Sequence, residues 1–136
     1  MIKEYQLSSI DLWREINNDF QQKGGAYKLL LKNNTKTVPI NRFLGTDDSG
    51  ILYIVKANCY LDRILALRKT IDPNLKSKSH ICGRRYNKNE KIKEQFPYAN
   101  LFIQLIEDQY PEIKERELID DYFNRFGEVP PLNANG

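Results

Sequence analysis

Residues 50–63 read GILYIVKANCYLDR. From Ile51 to Lys56 the run is rich in β-branched and aromatic side chains, and the turn-forming TDDSG leads into it, so a strand is expected here. After Asn58 the apolar spacing changes from two residues to about three and a half, with Tyr60, Leu61, Ile64, Leu65, Leu67 and Ile71 apolar. That spacing predicts a helix over 58–70 that ends before Pro73. A strand feeding directly into a helix gathers Tyr53, Lys56 and Arg63 around one junction. Side chains alternate along a strand, so Tyr53 is expected to share a face with Ile51 and Val55 while Lys56 takes the other. Arg63 falls at the edge of the helical stripe, from where it can lean back toward Tyr53.

On the N-terminal side, SSIDLWREINNDFQQK predicts a helix over 8–23, with Ser8 as N-cap, Asp11 in the capping-box place, and Ile10, Trp13, Ile16, Asn17 and Phe20 near one face. Gly24 and Gly25 stop it. AYKLLLK at 26–32 reads as a strand, NNTK at 33–36 as a turn, and TVPINRFLG as an extended excursion, because Pro39 is poorly placed in a central strand. On the C-terminal side, PNLKSKSHICGRRYNKNEK is polar and basic and reads mostly as loop, with a short helix over 88–95. ANLFIQLIE at 99–107 predicts a third strand, and PEIKERELIDDYFNRF at 111–126 a strong helix with Gly127 just past its end. The segment EVPPLNANG closes the sequence as an extended tail. Strands joined by a hairpin-like excursion, with a third added after a helical crossover, imply an α+β fold in which helices pack on a small three-stranded antiparallel sheet.

With 136 residues, 40% apolar and 29% charged, the sequence carries one domain's worth of core. Residues 1–23 are expected to form a helical extension packed on a domain at 24–136. There is no apolar run of the roughly 18 residues that a membrane span needs, and MIKEYQLSSIDLW lacks the apolar centre of a signal peptide, so the default address is the cytoplasm. Cys59 and Cys82 lack metal-ligand spacing, and the single His cannot complete a zinc site with them. Net charge is only +3 but unevenly spread. Between Lys76 and Lys93 there are seven Lys or Arg against Glu90 alone, whereas Glu107 to Glu128 holds eight acids against three bases. The basic stretch, with Lys76, Lys78, Arg84, Arg85 and Lys88, suits a polyanion, and the acidic helix suits either solvation or a metal.

At about 100° per residue, Glu115 lies at the centre of the stripe formed by Leu118, Ile119, Tyr122 and Phe126, while Glu117 falls on the opposite, solvated face. Carboxylates are seldom buried unless paired, so Glu115 calls for a basic side chain, a divalent metal, or the open first turn of its helix. Two tyrosines, an arginine and a carboxylate suit a phosphodiester: the guanidinium grips phosphate oxygens, the carboxylate holds a hard cation, and a phenol positions or deprotonates water. Each residue also has a plain reading, since strand tyrosines commonly fill cores and helix-edge arginines are commonly solvated.

Gly25-Ala26-Tyr27, then Tyr53-Ile54-Val55-Lys56-Ala57, Leu61 and Arg63, then Glu115 with Leu118-Ile119, and Asn133 after Pro130-Pro131-Leu132, resemble in order the signature of the GIY-YIG nuclease superfamily. SHICGRRY at 79–86 and Phe96-Pro97 with Asn100-Leu101 resemble its small single-domain bacterial and phage members. The resemblance implies a metal-dependent endonuclease acting on DNA. By position, Tyr27 and Tyr53 are implied as the active-site phenols, Arg63 as the phosphate ligand, Glu115 as the holder of Mg²⁺ or Mn²⁺, and Asn133 as a residue that fixes local geometry. Lys56 is implied to keep a phenol acidic or touch phosphate, and His80 to relay a proton or contact the backbone. DNA is the implied partner, with no membrane and no organic cofactor, and a homodimer would allow both strands to be cut.

The sequence departs from the pattern at Val55, where the family has Gly, at Ala26 for Ile, in the long spacing from Tyr27 to Tyr53, and at Leu67, where some members carry Tyr or His. A second reading is therefore a catalytically silenced module that binds DNA or a protein. A third is an interaction protein that docks through Trp13 and the first helix.

Overall fold

The computed structural model describes residues 2–75 and 80–133. Its elements are β1 (Ile2–Gln6), α1 (Leu12–Phe20), β2 (Gly25–Asn33), β3 (Lys36–Thr37), β4 (Ile40–Arg42), β5 (Gly45–Asp47), β6 (Ile51–Ala57), α2 (Tyr60–Ile71), α3 (Ile81–Asn87), α4 (Glu90–Gln95), a 3₁₀ turn (Tyr98–Asn100), β7 (Leu101–Glu107) and α5 (Pro111–Phe126). None of the described helices is long and apolar enough to cross a membrane.

The apolar run of β2 makes it the central strand, antiparallel to β7 on one side and to β6 on the other. β3 returns on the far end of β2 across the turn at Asn34, whose φ of 60° suits an Asn. The expected α+β class holds, but among the described residues the sheet has five strands and not three. The addition beyond the small β3 return is β1, which pairs with β7 from Ile2↔Ile106 to Gln6↔Phe102. Its IKEYQ has a single buried residue, Tyr5, too little periodicity to announce a strand. The N-terminal segment is thus part of the sheet as well as a helix laid on it.

Gly24 and Gly25 do more than end α1. A Cβ on Gly24 would sit 2.2 Å from the Ala57 carbonyl oxygen, and one on Gly25 would sit 2.1 Å from that of Ile106, so only glycine lets the start of β2 pass between the ends of β6 and β7.

The two faces of the sheet carry different helices. On one, Tyr27, Leu29, Leu52, Tyr53, Ile103 and Leu105 pack with α1, α2 and α3; on the other, Leu30, Ile51 and Ile54 pack with Tyr122 and Phe126 of α5. Strict alternation predicts Ile51 on the Tyr53 face, and the structure corrects this. The register shifts from Leu29↔Tyr53 to Leu30↔Ile51, a bulge that leaves Leu52 as the extra residue, so Leu52 and Tyr53 both join the α2 face and Ile51 goes to the α5 face.

Two further expectations change, for α1 and for residues 81–87, while the hairpin-like excursion between β2 and β6 is found as expected. In α1 the buried stripe is Leu12, Ile16 and Phe20, with Ile10 and Trp13 exposed; Asp11 and not Ser8 stands at the N-cap, and Ser9 ties the turn to Glu15 by a 2.9 Å hydrogen bond. The excursion around Pro39 contains a β4–β5 hairpin, anchored where the buried Asp47 carboxylate accepts from the Ser49 and Ile51 amides and from the Tyr122 hydroxyl. Residues 81–87, read as loop, form α3. Its propensity is poor, but Cys82 and Tyr86 are buried, and Gly83 lets it approach Thr70 of α2.

Candidate active site at the edge of β6

β6 pairs with β2 on one side, and its other edge is closed by side chains and tail rather than by a strand. The Leu132 amide donates to the Leu52 carbonyl at 2.8 Å. Asn133 both accepts from the Ile54 N–H and donates to its C=O, each at 2.9 Å. Glu115 then accepts from the Lys56 N–H at 2.6 Å. Alternate residues of an edge strand point their amides outward, so Leu52, Ile54 and Lys56 form one continuous row. The tail is itself pinned: Arg85 donates to the Leu132 carbonyl at 2.7 Å, and Arg42 to the Val129 carbonyl at 2.8 Å.

Beside this edge lie the two phenols. The Tyr27 and Tyr53 rings meet edge-on with centroids 6.4 Å apart, and the His80 ring stands 5.9 Å from Tyr53. His80 caps α3, its Nδ1 accepting from the Cys82 N–H at 3.2 Å, while its own backbone N–H donates to the Thr70 hydroxyl at 3.2 Å. Because Nδ1 accepts, the neutral ring carries its proton on Nε2, which donates to the Tyr27 hydroxyl oxygen at 2.9 Å. The Tyr27 O–H proton is thereby left for another acceptor. Arg63 brings a guanidinium nitrogen to 3.4 Å from the same Nε2, a close approach without a lone pair to receive it.

Burial, and then the Arg63 charge, push His80 down to about 4, so it is neutral at pH 7. Burial raises both phenols above the ordinary tyrosine value, with Arg63 pulling the other way at each. At Tyr53 burial and the neighbouring Cys82 raise the phenol, and Arg63 and Arg85 oppose them. Cys82, buried beneath both rings, is pushed up to about 12 and is an inert thiol.

The structure thus brings Tyr27, Tyr53, Arg63 and His80 into one cluster, with Glu115 and Asn133 on the adjoining edge. Glu115 is only partly buried, and its partner is a backbone amide, neither a basic side chain nor the open first turn; Glu117 is exposed and pairs with Lys114, as its helix position predicts. The Lys56 side chain is exposed on the α5 face, away from the phenols, and its contribution to the site is its N–H. Arg85 is committed to the tail, whereas Arg84 and Lys88 are exposed near α3, where they line a separate cavity. Lys76 and Lys78 lie outside the described residues.

Among the described residues no group of three His, Cys, Asp and Glu gathers as a metal site. Glu115 by itself still suits Mg²⁺ or Mn²⁺, because the Lys56 amide engages Oε2 and leaves Oε1, and such ions keep waters and take further ligands from substrate phosphate.

Sequence reading missed Thr70 and Cys82, which hold His80. Thr70 lies seven residues after Arg63 and therefore on the same helical face, a signal that was available. No family model matches the chain, and neither does any curated protein or solved structure.

Proposed function

We propose that the protein is a divalent-metal-dependent endonuclease that hydrolyses phosphodiester bonds in DNA, of GIY-YIG type. The observation that carries this reading is Arg63: among the described residues no carboxylate pairs with its guanidinium, which faces a neutral histidine and two phenols. A half-buried cation set among neutral donors is an anion site, and a guanidinium fork fits phosphate. The antiparallel set β7–β2–β6 at the sheet centre supports the same family reading.

In this reading Arg63 binds the non-bridging oxygens of the scissile phosphate and offsets charge as it develops. Tyr27 is fully buried and held by His80 Nε2–H, so in this reading it orders the cluster from within, while Tyr53 places the attacking water. Both phenols are neutral at pH 7, so neither acts as a phenolate. Glu115 would hold Mg²⁺ or Mn²⁺, which when bound supplies Lewis-acid stabilisation of the phosphate. Asn133 and Arg85 keep the β6 edge and the tail in register beneath Glu115.

Supercoiled plasmid incubated with Mg²⁺, with Mn²⁺ or with chelator tests this. Metal-dependent nicking lost in Arg63→Ala and Glu115→Ala is expected; a wild-type protein that never cuts with either metal overturns it.

One observation favours the silenced binding module: Val55 sits directly opposite Tyr27 in the β2–β6 register, so its methyl groups flank the phenols where the family has Gly. Gain of cleavage in Val55→Gly, from a wild type that binds DNA without cutting it, would establish that alternative.

A further inference from the structure

Beyond the phenol cluster, an open cavity of about 750 Å³ lies between the end of α2, α3 and the 3₁₀ turn. Its body is formed by Ile71, Tyr86 and Tyr98, and Arg84, Lys88 and Lys93 line it with positive charge. The volume is that of a ligand pocket and not of a packing defect. Among the described residues the one acid on its wall, Asp72, accepts from the Asn74 amide at 2.9 Å. Arg84 and Lys88 have no carboxylate partner among the described residues, and Lys93 meets only the solvent-exposed Glu90 at 3.5 Å. The Tyr98 hydroxyl is buried without a well-formed hydrogen bond, although the Arg68 guanidinium lies beside it.

One aromatic wall surrounded by cations is what a single nucleotide of a strand requires: the base stacks on the partly exposed Tyr98 ring, behind which Tyr86 is buried, while the cations follow its phosphates. A base inside a duplex cannot enter a concave pocket; an unpaired one can. α3 joins this cavity to the phenol cluster, with His80 at its cap and Lys88 at its far end. At the helical rise per residue that separation is about 12 Å, or roughly three to four phosphates along one strand.

We propose that the cavity holds one unpaired nucleotide of the DNA, so that the preferred substrate carries an extrahelical or single-stranded nucleotide a few positions from the bond at Arg63. This rests on the DNA reading above and names its substrate class.

The test is a binding titration in chelator, where no cleavage occurs, comparing a fully paired duplex with the same duplex carrying one bulged nucleotide. Wild-type protein is expected to bind the bulged DNA roughly tenfold or more tightly, the scale of one base–aromatic stack. Tyr98→Phe keeps the preference and Tyr98→Ala abolishes it. Arg84→Ala/Lys88→Ala, both exposed and neutral to folding, weakens bulged binding more than duplex binding. Equal affinity of the wild type for both DNAs overturns this inference alone, as does a preference undiminished in the Tyr98→Ala and Arg84→Ala/Lys88→Ala proteins. Absence of binding to either DNA overturns the DNA reading itself.

Discussion

The side-chain amide of Asn133 pairs with the backbone of Ile54 as a neighbouring strand would, accepting from its N–H and donating to its C=O, each at 2.9 Å. One side chain replaces a rung of the sheet at the strand that carries Tyr53. Asn133→Ala removes both bonds, and Asn133→Asp replaces the donor with an oxygen facing a carbonyl. A loss of about 1–3 kcal/mol is expected for Ala and a greater one for Asp, read from denaturant midpoints, with faster exchange of the Ile54 amide.

Arg63 and Glu115 should separate chemistry from folding. Glu115→Gln keeps an oxygen to accept from the Lys56 amide but gives up the charge, so thermal stability should stay near wild type while metal-dependent cleavage disappears. Arg63→Lys keeps the charge and loses the fork, and a drop in kcat of about 10²-fold or more is expected. Unchanged cleavage rates in both variants would place the chemistry elsewhere.

His80 makes stability depend on pH. The unfolded chain takes up a proton near 6.5, whereas the folded chain does so only near 4, so the unfolded state binds more protons between those values. The contribution is fully present above pH 6.5 and is lost as pH falls toward 4, by up to about 3 kcal/mol at 1.36 kcal/mol per unit. Urea unfolding at pH 7, 6 and 5 should show this slope, and His80→Gln should flatten it.

Two adjacent arginines should behave differently. Arg85→Ala cuts the 2.7 Å bond to the Leu132 carbonyl and should cost about 1.5–3 kcal/mol, whereas exposed Arg84→Ala should change stability by less than about 0.5 kcal/mol. Equal unfolding free energies for the pair would show that the tail is not held by Arg85.

Gly83 lets α3 lie on α2. A Cβ there would come within 2.5 Å of Thr70 Cγ2, so Gly83→Ala should destabilise by about 1–3 kcal/mol. It should also disturb the His80–Thr70 bond, and a lost low-field His80 or Thr70 resonance by NMR would report that separately from global stability.

The sequence by itself determined the elements whose periodicity is strong. β2, β6, β7, α2 and α5 fall where alternation or helical spacing places them, and α5 matches its predicted 111–126 span because Pro111 and Gly127 mark its ends. It also singled out Tyr27, Tyr53, Arg63, His80, Glu115 and Asn133, since each breaks the apolar pattern around it or belongs to the resemblance. Only the tertiary structure decided the rest. β1 and α3 exist through what they pair with or bury, since neither IKEYQ nor ICGRRYN is periodic enough to stand alone. The Leu52 bulge depends on β2 across the sheet, and no local pattern reveals which residue of a strand is extra. The partners of Glu115 and Asn133 are backbone groups of β6, contacts of 59 and 79 residues in sequence separation that side-chain spacing cannot encode. The tautomer of His80 follows from the Cys82 amide on its other nitrogen, a geometric fact set by how α3 begins.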